Sequence, residues 1–197
     1  MINLKKGSSI SLEKDGKKLE NIYIGLNWGS IKSFWGLVNN SVDLDGSVSM
    51  FAADTSHIDT VYFRKKYSDD SSIHHSGDDL TGDDSSDDKD NEIISINLKK
   101  VSKQVETIVI FLNSYKKQEF HTIPYAKIRL LEGNGRDVKN VFATFNLASE
   151  PEYKGKVSMI MAKIVRNNGD WKFVTIGEAT DTWNIKETVH LIRQQYL

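Results

Sequence analysis

Residues 157 to 177 read VSMIMAKIVRNNGDWKFVTIG, two apolar runs on either side of Asn167-Asn168-Gly169-Asp170. Val157 to Arg166 and Trp171 to Gly177 are rich in β-branched and aromatic residues, the composition of strands. Asn168 and Gly169 are the residue types that tolerate the positive φ of a tight two-residue turn. The stretch therefore predicts a β-hairpin, and a hairpin makes the sheet around it antiparallel.

Working outward, the same strand signature recurs. Asn21 to Trp28 (NIYIGLNW) alternates Ile22, Ile24, Leu26 and Trp28 on one face, and Glu92 to Leu98, Thr107 to Leu112 and Ala126 to Leu131 are short β-branched runs. Only Asn184 to Tyr196 has a helical period, with Ile185, Val189, Ile192 and Tyr196 on one face and Asn184 with Glu187 set as a variant capping box. Many short strands and one terminal helix predict an all-β antiparallel sandwich, without the crossover helices a parallel sheet needs. Residues 1–180 are expected to form the sandwich and 181–197 a helix packed on it or extending it. Three echoes occur in the same order: Ile2 to Lys6 with Ile96 to Lys100, Ile22 to Asn27 with Ile108 to Asn113, and Val48 to Met50 with Val157 to Met159. They raise a sandwich of duplicated halves.

The 197 residues contain no cysteine, which removes disulfides, thiolate metal sites and thiol nucleophiles together. No apolar run reaches the ~20 residues of a membrane span, and the N-terminal MINLKKGSSISLEKDG lacks a signal-peptide core, so the expected location is the cytoplasm. The net charge of −1 conceals segregation. Residues 69 to 92 (DDSSIHHSGDDLTGDDSSDDKDNE) hold 10 of the 27 acids and 1 of the 26 bases, so the rest of the chain has 25 bases against 17 acids, or +8. That basic body is either a set of solvated lysine faces or a surface for an anionic partner.

Two acidic features carry the candidate chemistry. In Val42-Asp43-Leu44-Asp45-Gly46-Ser47, strand alternation places Asp43 and Asp45 on one side, about 7 Å apart, where they repel unless a cation bridges them. In the segment at 69–92, Gly77 and Gly82 bracket Asp78-Asp79-Leu80-Thr81, and Asp90 and Glu92 run directly into a strand. Nine of its ten acids are Asp, a short stem suited to rigid oxygen ligation, and an all-oxygen donor set favours a hard cation, calcium before magnesium. His74 and His75 are adjacent in an extended segment and point opposite ways, which suits structural roles better than a shared zinc. DLDGS is also similar to the nucleophile loop of haloacid-dehalogenase-type phosphatases, giving an alternative in which Asp43 is nucleophile and Asp45 acid/base. That alternative requires alternating α/β units, and the strand pattern contradicts them.

Taken in order, INLKKG and ISLEKDG near the start, IGLNW at 24–28, VDLDGS at 42–47, SIHHSGDDLTGD at 72–83, DNEI at 90–93 and WKFVTIG at 171–177 resemble the TerD family of bacterial tellurium-resistance and stress-response proteins. The resemblance implies a calcium-binding β-sandwich, no catalysis, and stress resistance exercised with other proteins of the same family or operon type, some at the inner membrane surface, with no role for nucleic acid. It implies a ligand set for two calcium ions drawn from Asp43, Asp45, Asp78, Asp79, Thr81, Asp90 and Glu92, with backbone carbonyls from a turn at Gly25 to Trp28. Many members carry an acid after that Trp, where this chain has Gly29. The ligand at that place is then either missing or replaced by Asp69 or a water.

Overall fold

The computed structural model describes residues 1–33, 38–80, 82, 90–134 and 137–197. Its strands are β1 (Ile2–Leu4), β2 (Ser9–Ser11), β3 (Glu13–Lys14), β4 (Lys17–Lys18), β5 (Asn21–Trp28), β6 (Ile31–Ser33), β7 (Val38–Asn40), β8 (Leu44–Phe51), β9 (His57–Val61), β10 (Ile73–His75), β11 (Glu92–Asn97), β12 (Thr107–Ser114), β13 (Tyr125–Asn134), β14 (Asp137–Ala148), β15 (Ser158–Asn167) and β16 (Asp170–Thr180), followed by the helix α1 (Ile185–Gln195).

Two six-stranded sheets form the sandwich, one in the order β1-β14-β13-β5-β11-β10 and the other β2-β16-β15-β12-β8-β9. Among the described pairings only β1 with β14 is parallel. The hairpin at 157–177 forms as the sequence predicts: Asn167 pairs with Asp170 across Asn168 (φ 50°) and Gly169 (φ 83°). Alternation fills the space between the sheets with Ile22, Ile24, Leu26 and Trp28 of β5 facing Leu44, Val48 and Met50 of β8 and Ile108, Ile110 and Leu112 of β12, all buried.

The outer face of the second sheet has its own apolar patch. Val109 and Phe111 of β12, Ile160 of β15 and Ile176 of β16 receive Ile185, Val189, Ile192 and Tyr196 of α1. The helix begins as expected, with Asn184 Oδ1 accepting the backbone N–H of Glu187 at 3.0 Å. The return bond differs from a capping box: Glu187 accepts from the backbone and indole N–H groups of Trp183, at 3.3 and 2.7 Å.

The three sequence echoes fall on β1 and the end of β11, in one sheet; on β5 and β12, at the centres of opposite sheets; and on β8 and β15, which flank β12 in the same sheet. No single rotation relates all three pairs, so only the β5 and β12 echo matches corresponding places in two halves. The long strand β14 escaped the sequence reading. A bulge shifts its register with β13 between Leu130/Ala143 and Leu131/Val141, and the shift breaks the alternation that would have marked it.

Candidate metal centre

The site lies at one end of the sandwich, where the loop entering β8 meets the loop between β10 and β11. Trp28, last in β5, organises it: its indole N–H donates to the Val42 carbonyl at 2.9 Å, and its backbone N–H donates to Asn91 Oδ1 at 2.9 Å. Gly82 (φ +69°) rests on the same ring, where a Cβ would come 2.9 Å from Trp28 Cδ1. One aromatic side chain thus fixes both acidic loops.

Asp43 and Asp45 are buried, 3% and 7% exposed, and Asp78 reaches them from the other loop; the three carboxylates offer oxygens that all lie within 4.8 Å of one another. Among the described residues this is the group of acidic and imidazole side chains that converges closely enough to hold one ion. Burial first, then the carboxylates of Glu92, Asp78 and Asp43, push Asp45 up to about 7. Asp43 is raised as well, by burial ahead of the opposing pull of Lys116, whose Nζ stands 3.7 Å from Asp43 Oδ2. Gln118 braces the loop, accepting the Asp43 backbone N–H at 3.3 Å and donating to the Ser41 carbonyl at 2.7 Å.

Behind the three aspartates sits Glu92, fully buried and raised by burial. Its Oε2 accepts the Gly46 N–H at 2.8 Å and lies 3.3 Å from His75 Nε2. His75 Nδ1 accepts the Gly77 N–H at 3.0 Å, so the ring proton is on Nε2, which also faces the Gly46 carbonyl at 3.1 Å. A chain of contacts therefore runs from the DLDG loop through Glu92 and His75 to the GDDL loop. His74 faces the other way and stacks on Tyr67, ring centroids 4.4 Å apart.

The fit of this site to a cation can be tested on the atoms present. Asp43 Oδ1 and Glu92 Oε1 are buried with no hydrogen-bond partner among the described residues. Buried carboxylate oxygens without donors are costly, and repelling carboxylates at this range are costlier. The all-oxygen donor set and the converging negative charge fit a hard divalent cation.

Not every expected ligand arrives. Asp90 is directed to a protein cation instead: Arg129 Nε donates to its Oδ1 at 2.7 Å, both side chains are less than a tenth exposed, and the Asp90 carboxylate lies over Gly25. Asp69 is 81% exposed and bonded to Lys65 at 2.8 Å, in the loop where Lys65 also holds Asp59. In this structure neither carboxylate joins the converging cluster, each facing a protein cation instead. Gly25 to Trp28 is strand rather than turn, and Trp28 acts through its indole. Asp79 accepts the Gly82 N–H at 3.1 Å, a local turn bond, and its charge still reaches Asp43. Thr81 and the stretch from Asp83 to Lys89 lie outside the described residues. Lys116, Gln118 and Asn91 were missed by the sequence reading, because their roles depend on strands that pair across long stretches of chain.

The described residues hold one α-helix, at the C-terminal side, and not the alternating α/β units a haloacid-dehalogenase-type phosphatase requires. No helix among them is long and apolar enough to cross a membrane.

A family model described as the TerD domain matches residues 1–189. The tellurium resistance protein TerZ of Serratia marcescens is 32% identical over 91% of this chain and 90% of its own length, and the stress response protein SCP2 of Bacillus subtilis is 31% identical over 95% and 97%. The crystal structure of a homologue of telluride resistance protein from Streptomyces coelicolor A3(2) superposes with a TM-score of 0.64 at 19% identity, covering 89% of this chain and 95% of that one, which bears on the fold alone. With the family model spanning nearly the whole sequence and relatives above 30% identity along it, the chain belongs to the TerD family, whose named members serve tellurium resistance and the general stress response.

Proposed function

We propose that this protein is a calcium-dependent binding module of the cytoplasmic stress response, acting with other proteins of its family rather than as a catalyst. The observation that carries this reading is the convergence of Asp43, Asp45 and Asp78 within 4.8 Å, backed by donorless oxygens on Asp43 and Glu92. A cation there would be held by the three aspartates and would supply the positive charge that the protein does not. Its mechanical consequence is a latch: the GDDL loop, which enters the first sheet, and the DLDG loop, which enters the second, repel without the ion and are drawn together with it.

Oxygen donors alone favour calcium over softer metals, and flexible loops suit its 6–8 ligands at variable geometry. The two ions implied by the resemblance compare with one converging cluster among the described residues, so this proposal commits to one. The names of the relatives support the biological setting of resistance and stress, and the buried carboxylates support the ion.

The test is a calcium titration followed by thermal melting. Binding to the folded state alone stabilises by about 2.7 kcal/mol at a hundredfold excess over Kd. The melting temperature should rise with calcium and fall back with chelator, and Asp43→Asn should abolish the rise. A melting curve that neither calcium nor chelator moves would overturn the reading.

A further inference from the structure

Asp45 has a second neighbourhood. Its side chain lines a cleft of about 660 Å³ on the flank of the second sheet, bounded by the loop after β9, the turn after β12 and the start of α1. Three cations border this cleft, Arg64, Lys117 and Lys186, and none is ion-paired among the described residues. Two are held on aromatic faces: the Arg64 guanidinium lies 5.3 Å from the centroid of Phe63, and Lys117 Nζ lies 3.7 Å from that of Trp183. These contacts hold positive charge at the rim without neutralising it.

The walls supply the other half of a recognition site. Trp183 is 53% and Tyr115 63% exposed, so two large rings at the cleft offer free surface to a planar group. At the base, Asn113 Oδ1 and Ser114 Oγ are buried, in residues 4% and 1% exposed, and have no hydrogen-bond partner among the described residues. Asn113 is fixed through its amide nitrogen, which donates to Ser158 Oγ at 2.5 Å and Thr188 Oγ1 at 2.9 Å, so its oxygen is held in one place beneath the cleft.

Size decides between ligand classes. A bare oxyanion would satisfy the cations but leave the rings and the base untouched, whereas a cleft of this volume is in the ~300–1,000 Å³ range of organic ligand sites. We infer that the cleft binds a small organic phosphate carrying a planar ring, of mononucleotide size, its phosphate on Arg64, Lys117 and Lys186 and its ring on Trp183 and Tyr115. The ion of the proposed metal centre is coupled to this site through Asp45. Without the ion, the Asp45 charge repels phosphate; with it, most of the carboxylate charge is neutralised and that repulsion is relieved. That coupling, though not the cleft, rests on the calcium reading.

The experiment is calorimetry on the full chain with adenosine monophosphate, adenosine and inorganic phosphate, in saturating calcium and in chelator, with calcium-induced melting measured separately. Adenosine monophosphate should bind, with adenosine and inorganic phosphate each at least tenfold weaker, and chelation should weaken it at least tenfold. Lys117→Glu with Lys186→Glu should weaken it at least tenfold while the calcium-induced melting shift stays, and Trp183→Ala should weaken it in the same way. Binding no tighter than inorganic phosphate, or unaffected by the double lysine variant, overturns the inference. An intact calcium melting shift with no nucleotide binding defeats the cleft and leaves the metal reading standing. Nucleotide binding indifferent to chelator defeats the coupling.

Discussion

Glu92 of one sheet fastens itself to Gly46 of the other: its Oε2 accepts the Gly46 N–H at 2.8 Å, in space that a Cβ on residue 46 would take from that oxygen and from Leu26 Cδ1. The glycine of DLDG is thus explained by a carboxylate 46 residues away rather than by its own backbone angles. The contact makes the acidic edge of β11 and the loop entering β8 one mechanical unit.

Gly46→Ala should therefore cost stability and ion binding together. Crowding a packed site of this kind costs about 1–3 kcal/mol. The melting temperature without calcium should fall accordingly, and the calcium concentration giving half the melting shift should rise. If the variant melts like wild type and responds equally to calcium, the Glu92 latch is not what holds the loops.

The two excluded carboxylates make a paired prediction. Asp90→Asn removes a carboxylate that Arg129 holds in a buried ion pair, which should cost stability, up to about 3–5 kcal/mol. Asp69→Asn disturbs an exposed pair and should cost less than about 1 kcal/mol. In both variants the calcium-induced melting shift should persist, since neither residue belongs to the converging cluster. A loss of that shift with normal stability in either variant would restore it as a ligand.

Much of this was legible in the sequence. The 157–177 hairpin, the alternation of β5 and the Asn184 cap are local signals, and DLDGS with GDDL announced carboxylates that converge. What was not legible is which acids meet. Asp90 and Asp78 look equally suited as text, yet Arg129 on β13 claims the first, and no spacing along the chain pairs Arg129 with Gly25, the residue that the Asp90 carboxylate covers. His75 likewise reads as a neighbour of His74 until strand pairing turns it inward onto Glu92. Choices of partner across sheets are set by register, and register is written in the whole sequence rather than in a motif.

Trp28 offers a test of the organisation behind the ligands. Trp28→Phe keeps an aromatic ring but removes the donor to the Val42 carbonyl, leaving a buried acceptor unpaired at a cost of about 1–3 kcal/mol. Because Gly82 also rests on the indole, both acidic loops should loosen. Hydrogen exchange at residues 41–46 and 76–80 should quicken without calcium and recover partly with it. Exchange that quickens equally across both sheets would point instead to a general loss of core packing.

Asp45 sets the pH dependence. Its folded pKa of about 7 is above the ordinary carboxylate value, owing to burial first and then to Glu92, Asp78 and Asp43, so between about pH 4 and 7 the folded state holds a proton that the unfolded chain has lost. In that window stability without calcium falls as pH rises, by up to about 1.4 kcal/mol per pH unit, and the contribution present at low pH is gone once pH passes the folded pKa. Asp43 and Glu92, both raised, act in the same direction. Calcium needs the ionised carboxylates, so its stabilisation should grow over the same range. Asp45→Asn removes the charge that resists burial: without calcium it should melt higher than wild type at pH 8, lose most of that advantage at pH 5, and show no calcium shift at either. The difference between the two proteins isolates Asp45 from the other titrating groups. If that difference is the same at pH 5 and pH 8, the buried carboxylate is not the source of the pH dependence.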